Sequence, residues 1–437
     1  MRPVLLLFLA GCALAQEWKA GLAKAVITPS ESIWMAGFGA RTRPSEGVRQ
    51  DLYVKALALQ DRSGRTWVIV TADAIGFTRA MSDEIVKRSG LPRERLVLSA
   101  SHTHSGPVAG QLGRPGYMLD EREAAAVRRY TPRLLDNIVK VIAQATGDLR
   151  PAALSFGQGL AGIGVNRRRA RIRSLPGPVD QDVPVLAVRE PDGKLRAVLA
   201  GYACHATVLS DYQIGGDWPG YFKEEFERAH PGAEAMFVAG CGADINALPR
   251  NTVELARKYG QILAAAVGEV IRGKMTPVAG PIAAAVDTVD LPFAPAPTRA
   301  QLQAELKDAN PTHRNNAAQL LKIIDSGARL PDHYPYSIQL WQFGGALRWI
   351  VLSSEVVVDY ALRLKGRYGW NDTWVSAYAN DFCGYMPSLR VLKEGGYEGG
   401  EAMAGQGHPG PWGERVEELI VAKVEELVRR TSPAGSK

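Results

Sequence analysis

His102 and His104 stand two residues apart in the string Leu-Ser-Ala-Ser-His-Thr-His-Ser-Gly-Pro at 98–107. In an extended backbone alternate side chains share a face, so both imidazoles can address one point. Gly106-Pro107 then turns the chain and keeps that point open. The sequence has seven histidines, and three of them, His102, His104 and His205, follow directly after short apolar runs. Imidazole is the commonest metal-ligating side chain, and a catalytic zinc usually has three protein ligands and one position left for water. A carboxylate is a usual partner, and Glu355, one step past another apolar run, is placed for it. Taken singly, each residue reads as a polar group at a strand end. Taken together they read as a metal site.

Other groups could serve the same point. The block 237–250 is glycine-rich around Asp244 and Asn246, so its backbone can approach a ligand closely. Tyr385 and Tyr397 lie in a glycine-filled loop, and tyrosine hydroxyls can donate to a developing oxyanion. Five arginines fall within Asn166–Arg173. Such a run is usually a solvated loop, but guanidinium forks match carboxylate and phosphate, and Arg167 is the one placed near the site. The run lacks the interleaved aromatics that single-stranded nucleic acid requires. Cys204 and Cys241 lack the surroundings of a thiol nucleophile.

Strands must carry these residues. Short apolar or β-branched runs end at Thr71, Ala100, Tyr202, Ala239, Leu352 and Tyr378, each followed by small and polar residues. Such runs fit strands buried on both faces. Helical periodicity covers 121–147, 219–229, 252–272, 299–325, 356–366 and 413–430. The alternation predicts an α/β fold of mixed, largely buried sheets flanked by helices. Ligands in such folds sit beyond the carboxyl ends of the strands, which is where the candidate residues concentrate. Pro-rich segments at 292–297 and 330–336 bracket a helical, hairpin-like insert within one domain.

The 437 residues are 46% hydrophobic and 22% charged, with a formal net charge of +7. These values exclude a disordered chain, and the mild positive excess does not point to nucleic acid. Residues 1–15 carry a positive n-region at Arg2, an apolar stretch, and an Ala13-Leu14-Ala15 cleavage pattern, so they read as a signal peptide for export to the periplasm or the extracellular space. Leu9-Ala10-Gly11-Cys12 also resembles a lipoprotein cleavage box, which would anchor the chain through Cys12. Contact with a membrane is expected to be peripheral at most. After cleavage three cysteines remain, so at least one thiol is unpaired within the monomer; a Cys204–Cys241 bridge is left open. Residues 16–430 read as a single catalytic domain and 431–437 as a disordered tail. The sequence leaves the oligomeric state open.

The string at 98–107 resembles the signature of the neutral/alkaline, non-lysosomal ceramidase family. The blocks at 27–39 and Asn166-Arg167, the segment 201–210, the 240–246 turn, Glu355 and the segment 378–400 come in that family's order. The resemblance implies an exported amidohydrolase with one zinc ion per chain, cleaving an N-acyl linkage such as that of ceramide or a related N-acyl lipid, with zinc activating a water and polarising the amide oxygen. By motif match, His102, His205, Glu355 and Tyr385 would form the zinc shell. His104, Arg167 and Tyr397 would line the reacting carbonyl, with His104 and Tyr385 stabilising the oxyanion or moving the proton. Two departures stand out. Asn246 occupies the place of a family serine; it cannot act as an alkoxide but can hydrogen-bond substrate. The sequence stops about one helix after the last motif, short of the family's C-terminal immunoglobulin-like domain, which favours a more soluble amide. The alternatives are a zinc-containing lipid- or glycan-binding protein without turnover, kept open by Asn246, and a zinc hydrolase of another amide or ester.

Overall fold

The computed structural model describes residues 18–117, 119–169 and 177–432. The signal segment with Cys12, Arg171 and Arg173 of the arginine run, and residues 433–437 of the expected tail lie outside these. No helix among the described residues is long and apolar enough to cross a membrane.

The main sheet is built from β1 (Trp18–Val26), β2 (Tyr53–Gln60), β3 (Thr66–Ala72), β4 (Leu96–Ala100), β5 (Arg150–Leu160), β6 (Asp182–Arg189), β7 (Leu195–Tyr202) and β8 (Glu234–Ala239), in the spatial order β8-β7-β6-β5-β1-β2-β3-β4. The two pairs at its ends, β3 with β4 and β7 with β8, are parallel, and the pairs between them are antiparallel. A second sheet runs β9 (Ile282–Pro292), β10 (His333–Phe343), β11 (Leu347–Leu352), β12 (Thr373–Ser376). The fold is therefore the mixed α/β type that the sequence pattern predicts.

The continuous apolar runs follow from what lies on each side. Leu57, Leu59, Trp67 and Ile69 face the second sheet with Trp341, Trp349 and Trp374. Their neighbours Ala56, Ala58, Val68 and Val70 face the opposite way, into a cluster with Leu134, Ile138 and Val141 of the helix Glu121–Gly147. Helices Asp217–Ala229 and Val253–Arg272 cover the other half of that face. Helix Val416–Thr431 packs on the outside of β9 and β10. A strand with apolar packing on both faces has no polar face to alternate with.

The segment Ser376–Asn380 joins the two ends of the main sheet. Ala377 N donates to Ala239 O (2.9 Å), Ala100 N donates to Tyr378 O (3.1 Å), and Asn380 N donates to Leu98 O (2.8 Å). The carboxyl ends of β4, β7, β8 and β11 thereby meet in one place.

Two details depart from the periodicity. The stretch 299–325 is two helices, Arg299–Glu305 and Pro311–Asp325. Asn310 accepts from Thr312 N and Pro311 stands at the start of the second helix, a position where its missing N–H costs nothing. The helix Arg79–Ser89 was not legible in the pattern. Thr78 caps it, but it buries only Met81, Ser82 and Ile85.

Candidate metal centre

His102 follows β4 and His205 follows β7. Glu355 follows β11 and pairs through Glu355–Val356 with the short strand Tyr385–Met386. Glu355 Oε2 lies 3.1 Å from His102 Nε2 and 3.2 Å from His205 Nε2. The Tyr385 hydroxyl lies 3.3 Å from His205 Nε2, and His104 Nε2 lies 3.2 Å from His102 Nε2. His102, His104, His205, Glu355 and Tyr385 thus converge on one point and are all buried, whereas Arg167 and Tyr397 stand behind Tyr385.

The spacing and the tautomers say what the point is for. His102 Nδ1 contacts Ile75 O at 2.7 Å and His205 Nδ1 contacts Gly242 O at 2.7 Å. A carbonyl only accepts, so each Nδ1 carries the proton and each Nε2 presents a lone pair. Two lone pairs then face a buried carboxylate, an arrangement that a bound cation would satisfy. Ligands about 2.0–2.1 Å from a tetrahedral zinc sit roughly 3.3 Å from one another, which agrees with the observed separations. The donor set therefore fits a metal ion. Backbone carbonyls orienting ligand imidazoles are the usual outer support of such a site.

Electrostatics agree. Burial pushes His205 down to about 4. Burial alone would raise the Glu355 carboxyl, but His102 and His205 hold it well below the usual range. A neutral imidazole and an ionised carboxylate are the forms that ligate.

His104 differs from the other two. Its Nδ1 is buried without a hydrogen-bond partner, and its polar contact runs from Nε2 to His102 Nε2. Burial, with His102 and His205 nearby, holds its pKa well below the ordinary value. Its ring is boxed by Phe38 at 4.8 Å, His102 at 4.8 Å and His205 at 5.6 Å. Gly37, at φ +93°, lies against it so closely that a Cβ there would stand 2.4 Å from His104 Cγ and Nδ1.

The shared face expected for His102 and His104 has a different cause. His102 has φ +57°, so the chain turns at that residue rather than running extended. Ser354 (φ +66°), Tyr378 (φ +55°) and Asn380 (φ +60°) are likewise left-handed. Each such residue costs of order 1–3 kcal/mol and persists where the surroundings over-determine it. Here they aim His102, the residue before Glu355, and the Tyr378 ring that lies 4.3 Å from the His102 ring.

Arg167 is the next layer out. Its Nη2 donates to the Tyr385 hydroxyl at 3.2 Å and its Nε to Glu398 Oε1 at 2.5 Å. Burial works against its charge, but Tyr385 and Glu398 hold its pKa above the ordinary value. Tyr397 packs edge-on to Tyr385 at 5.2 Å and is half-exposed. Asn246 is bridged by backbone to His205, yet its side chain lines a neighbouring basin with Arg167 and Tyr397. Asp244 serves as a strut: its carboxylate accepts from Val358 N and Asn166 Nδ2, both at 2.9 Å. Glu398, Gly37 and Tyr378 were missed by sequence reasoning, since only the fold brings them to the site.

The cysteines play no part at this point. Cys204, Cys241 and Cys383 are free and buried, so no Cys204–Cys241 bridge forms, and burial pushes the Cys383 thiol up to about 12.

A cavity of about 550 Å³ opens onto the centre, lined by His102, His104 and Glu355 and by Ile75, Tyr117 and Phe382. Residues 18–290 match the family described as neutral/alkaline non-lysosomal ceramidase, N-terminal. The chain belongs to that family. Membership in the ceramidase family makes it a hydrolase acting on amides. Its fold is similar to that in "Crystal Structure Analysis of neutral ceramidase from Pseudomonas aeruginosa", with a TM-score of 0.72 at 20% identity, covering 97% of this chain and 77% of that one. It is similar also to "Ceramidase complexed with C2", with a TM-score of 0.72 at 18% identity, covering 96% and 77%.

Proposed function

We propose that this ceramidase-family chain is an exported, zinc-dependent amidohydrolase that cleaves the N-acyl linkage of ceramide or a related N-acyl lipid. The observation that carries the reading is the meeting of His102 Nε2, His205 Nε2 and Glu355 Oε2 within 3.1–3.2 Å, with both imidazoles fixed in the ligating tautomer. His102, His205, Glu355 and Tyr385 would hold the ion. Zinc bound there supplies a Lewis acid for the amide oxygen and lowers the pKa of a coordinated water. The rest is done by the chain. His104, kept neutral by burial, can take a proton from the attacking water and give it to the leaving amine. Tyr385 and Arg167 place donors beside the oxygen on which negative charge develops, and Glu398 holds Arg167 in place. Tyr397 walls the entrance. Asn246 binds substrate rather than attacking it, because a carboxamide is no nucleophile. The cavity is within the range of small-ligand sites, and Ile75, Phe382 and Ala402 in its mixed lining offer apolar contact to an acyl chain. Export rests on the charge, apolar stretch and cleavage pattern of residues 1–15.

The test is hydrolysis of a fluorescent N-acyl sphingosine by the purified chain, before and after chelation and again with zinc restored. Turnover lost on chelation and regained with zinc is the expected result. Full turnover by metal-free protein would overturn the zinc assignment. No turnover by zinc-loaded protein would remove ceramide as the substrate.

A further inference from the structure

Beside the metal cavity, and sharing Tyr397 with it as a wall, lies a second basin of about 690 Å³ lined by Arg167, Arg168, Arg169, Arg250 and Asn246. Two carboxylates face the four guanidiniums. Glu398 accepts from Arg167 Nε at 2.5 Å and from Arg168 Nη1 at 2.7 Å. Glu394 accepts from Arg168 Nε at 3.3 Å and from Arg169 Nη2. Both carboxylates are thus occupied, two positive charges remain in excess, and Arg250 has no ion pair among the described residues. Asn246 adds an amide donor at the basin wall. It is 7% exposed, its Oδ1 accepts from Thr207 Oγ1 at 3.4 Å, and among the described residues nothing accepts from its Nδ2. The basin is joined to the reacting centre through Arg167, whose Nη2 reaches the Tyr385 hydroxyl.

We infer that the basin binds a compact oxyanion on the amine side of the scissile amide, so that the preferred substrates are N-acyl amino acids or N-acyl aminoalkyl sulfonates rather than amides of neutral amines. The inference rests on the amidohydrolase reading. With the acyl chain among Ile75, Tyr117 and Phe382 and the carbonyl at the metal point, the amine substituent crosses Tyr397 and meets the guanidiniums. Guanidinium forks match carboxylate and sulfonate geometry, and Asn246 Nδ2 supplies a neutral donor beside them. Hydrolysis adds the water oxygen to the acyl carbon as the C–N bond breaks, and the nitrogen takes the proton. The products are a fatty acid and an amine that still carries its anion. Asn246 then has a positive role in place of the serine that the family resemblance leads one to expect.

The experiment compares kcat/KM for lauroylglycine and lauroyltaurine with that for lauroylethanolamine, using the zinc-loaded full chain at low and high ionic strength. One charge-assisted contact corresponds to about a tenfold preference or more. The acidic amides should lead by that factor at low salt, and the lead should shrink at high salt. Glycine and taurine arms separate carboxylate from sulfonate. Arg250→Ala should lower the acidic-to-neutral ratio about threefold, and Arg250→Glu should lower it further. A ratio at or below one, or a ratio unmoved by Arg250→Glu, overturns the inference. If none of the three amides is cleaved, it is the amidohydrolase reading that loses these substrates. The dissociation constants of the same compounds by calorimetry then decide the basin by the same ratios.

Discussion

Gly37→Ala separates a catalytic His104 from a ligand His104. A Cβ at position 37 would stand 2.4 Å from His104 Cγ and Nδ1 and 2.9 Å from its Cβ. Ordinary contact begins at 3.4 Å, so the ring must retreat by about 1 Å. It cannot pivot freely, because Phe38, His102 and His205 surround it. A displacement of 1 Å at a catalytic group costs about 100-fold in rate. The left-handed φ of +93° adds backbone strain of order 1–3 kcal/mol. His102 and His205 keep their carbonyl anchors, so the metal should stay. The expected result is kcat/KM down about 100-fold, zinc still near one per chain by elemental analysis, and a lower urea midpoint. Gly162→Ala is the control, since a Cβ there meets nothing within 4 Å. Wild-type turnover in Gly37→Ala would refute the placement of His104 in the reaction. Loss of zinc together with activity would instead make His104 a ligand.

Three further outcomes are expected. Glu355→Gln keeps the volume at the centre but removes the carboxylate that, among the described residues, faces His102 and His205; zinc retained after dialysis should fall to near zero, and retention of a full equivalent would refute the ligand assignment. Glu398→Ala leaves Arg167 without its carboxylate and takes one of two from Arg168, so unfolding free energy by denaturant should fall by about 2–4 kcal/mol with a loss of turnover, and an unchanged midpoint would show that Glu398 is not a support. Burial pushes Asp217 and Asp244 up to about 6 from an ordinary 3.8; since the folded value is the higher one, each favours folding fully below about pH 4 and loses that contribution as pH rises through 6, and carboxyl carbon resonances titrating near pH 4 instead would refute the burial argument.

The sequence made the strand ends legible because a strand packed on both faces is apolar throughout and stops abruptly. His102, His205 and Glu355 could be placed from that boundary alone. His102 and His104 converge, but not by alternation along an extended chain, because His102 is left-handed. The helix break before Pro311 was hidden by apolar residues that keep helical spacing on both sides of it. Glu398 and Gly37 carry no local signal. One matters only because Arg167 reaches it across 231 residues of sequence, the other only because an imidazole 67 positions away lies against its α-carbon. Asn246 was seen as a substitution, but its outlook onto an arginine basin depends on its pairing with Val165.

The spacing of the metal-facing residues also bears on how the chain matures. His102 and His205 come from the part of the chain that carries the family match, which ends at residue 290. Glu355 and Tyr385 come after it, delivered by the second sheet and by the segment that ties the ends of the main sheet together. A polypeptide ending at 290 carries the imidazoles of His102, His104 and His205 but neither Glu355 nor Tyr385. The carboxylate that His102 and His205 face is therefore in place only once the last third of the chain has folded and docked.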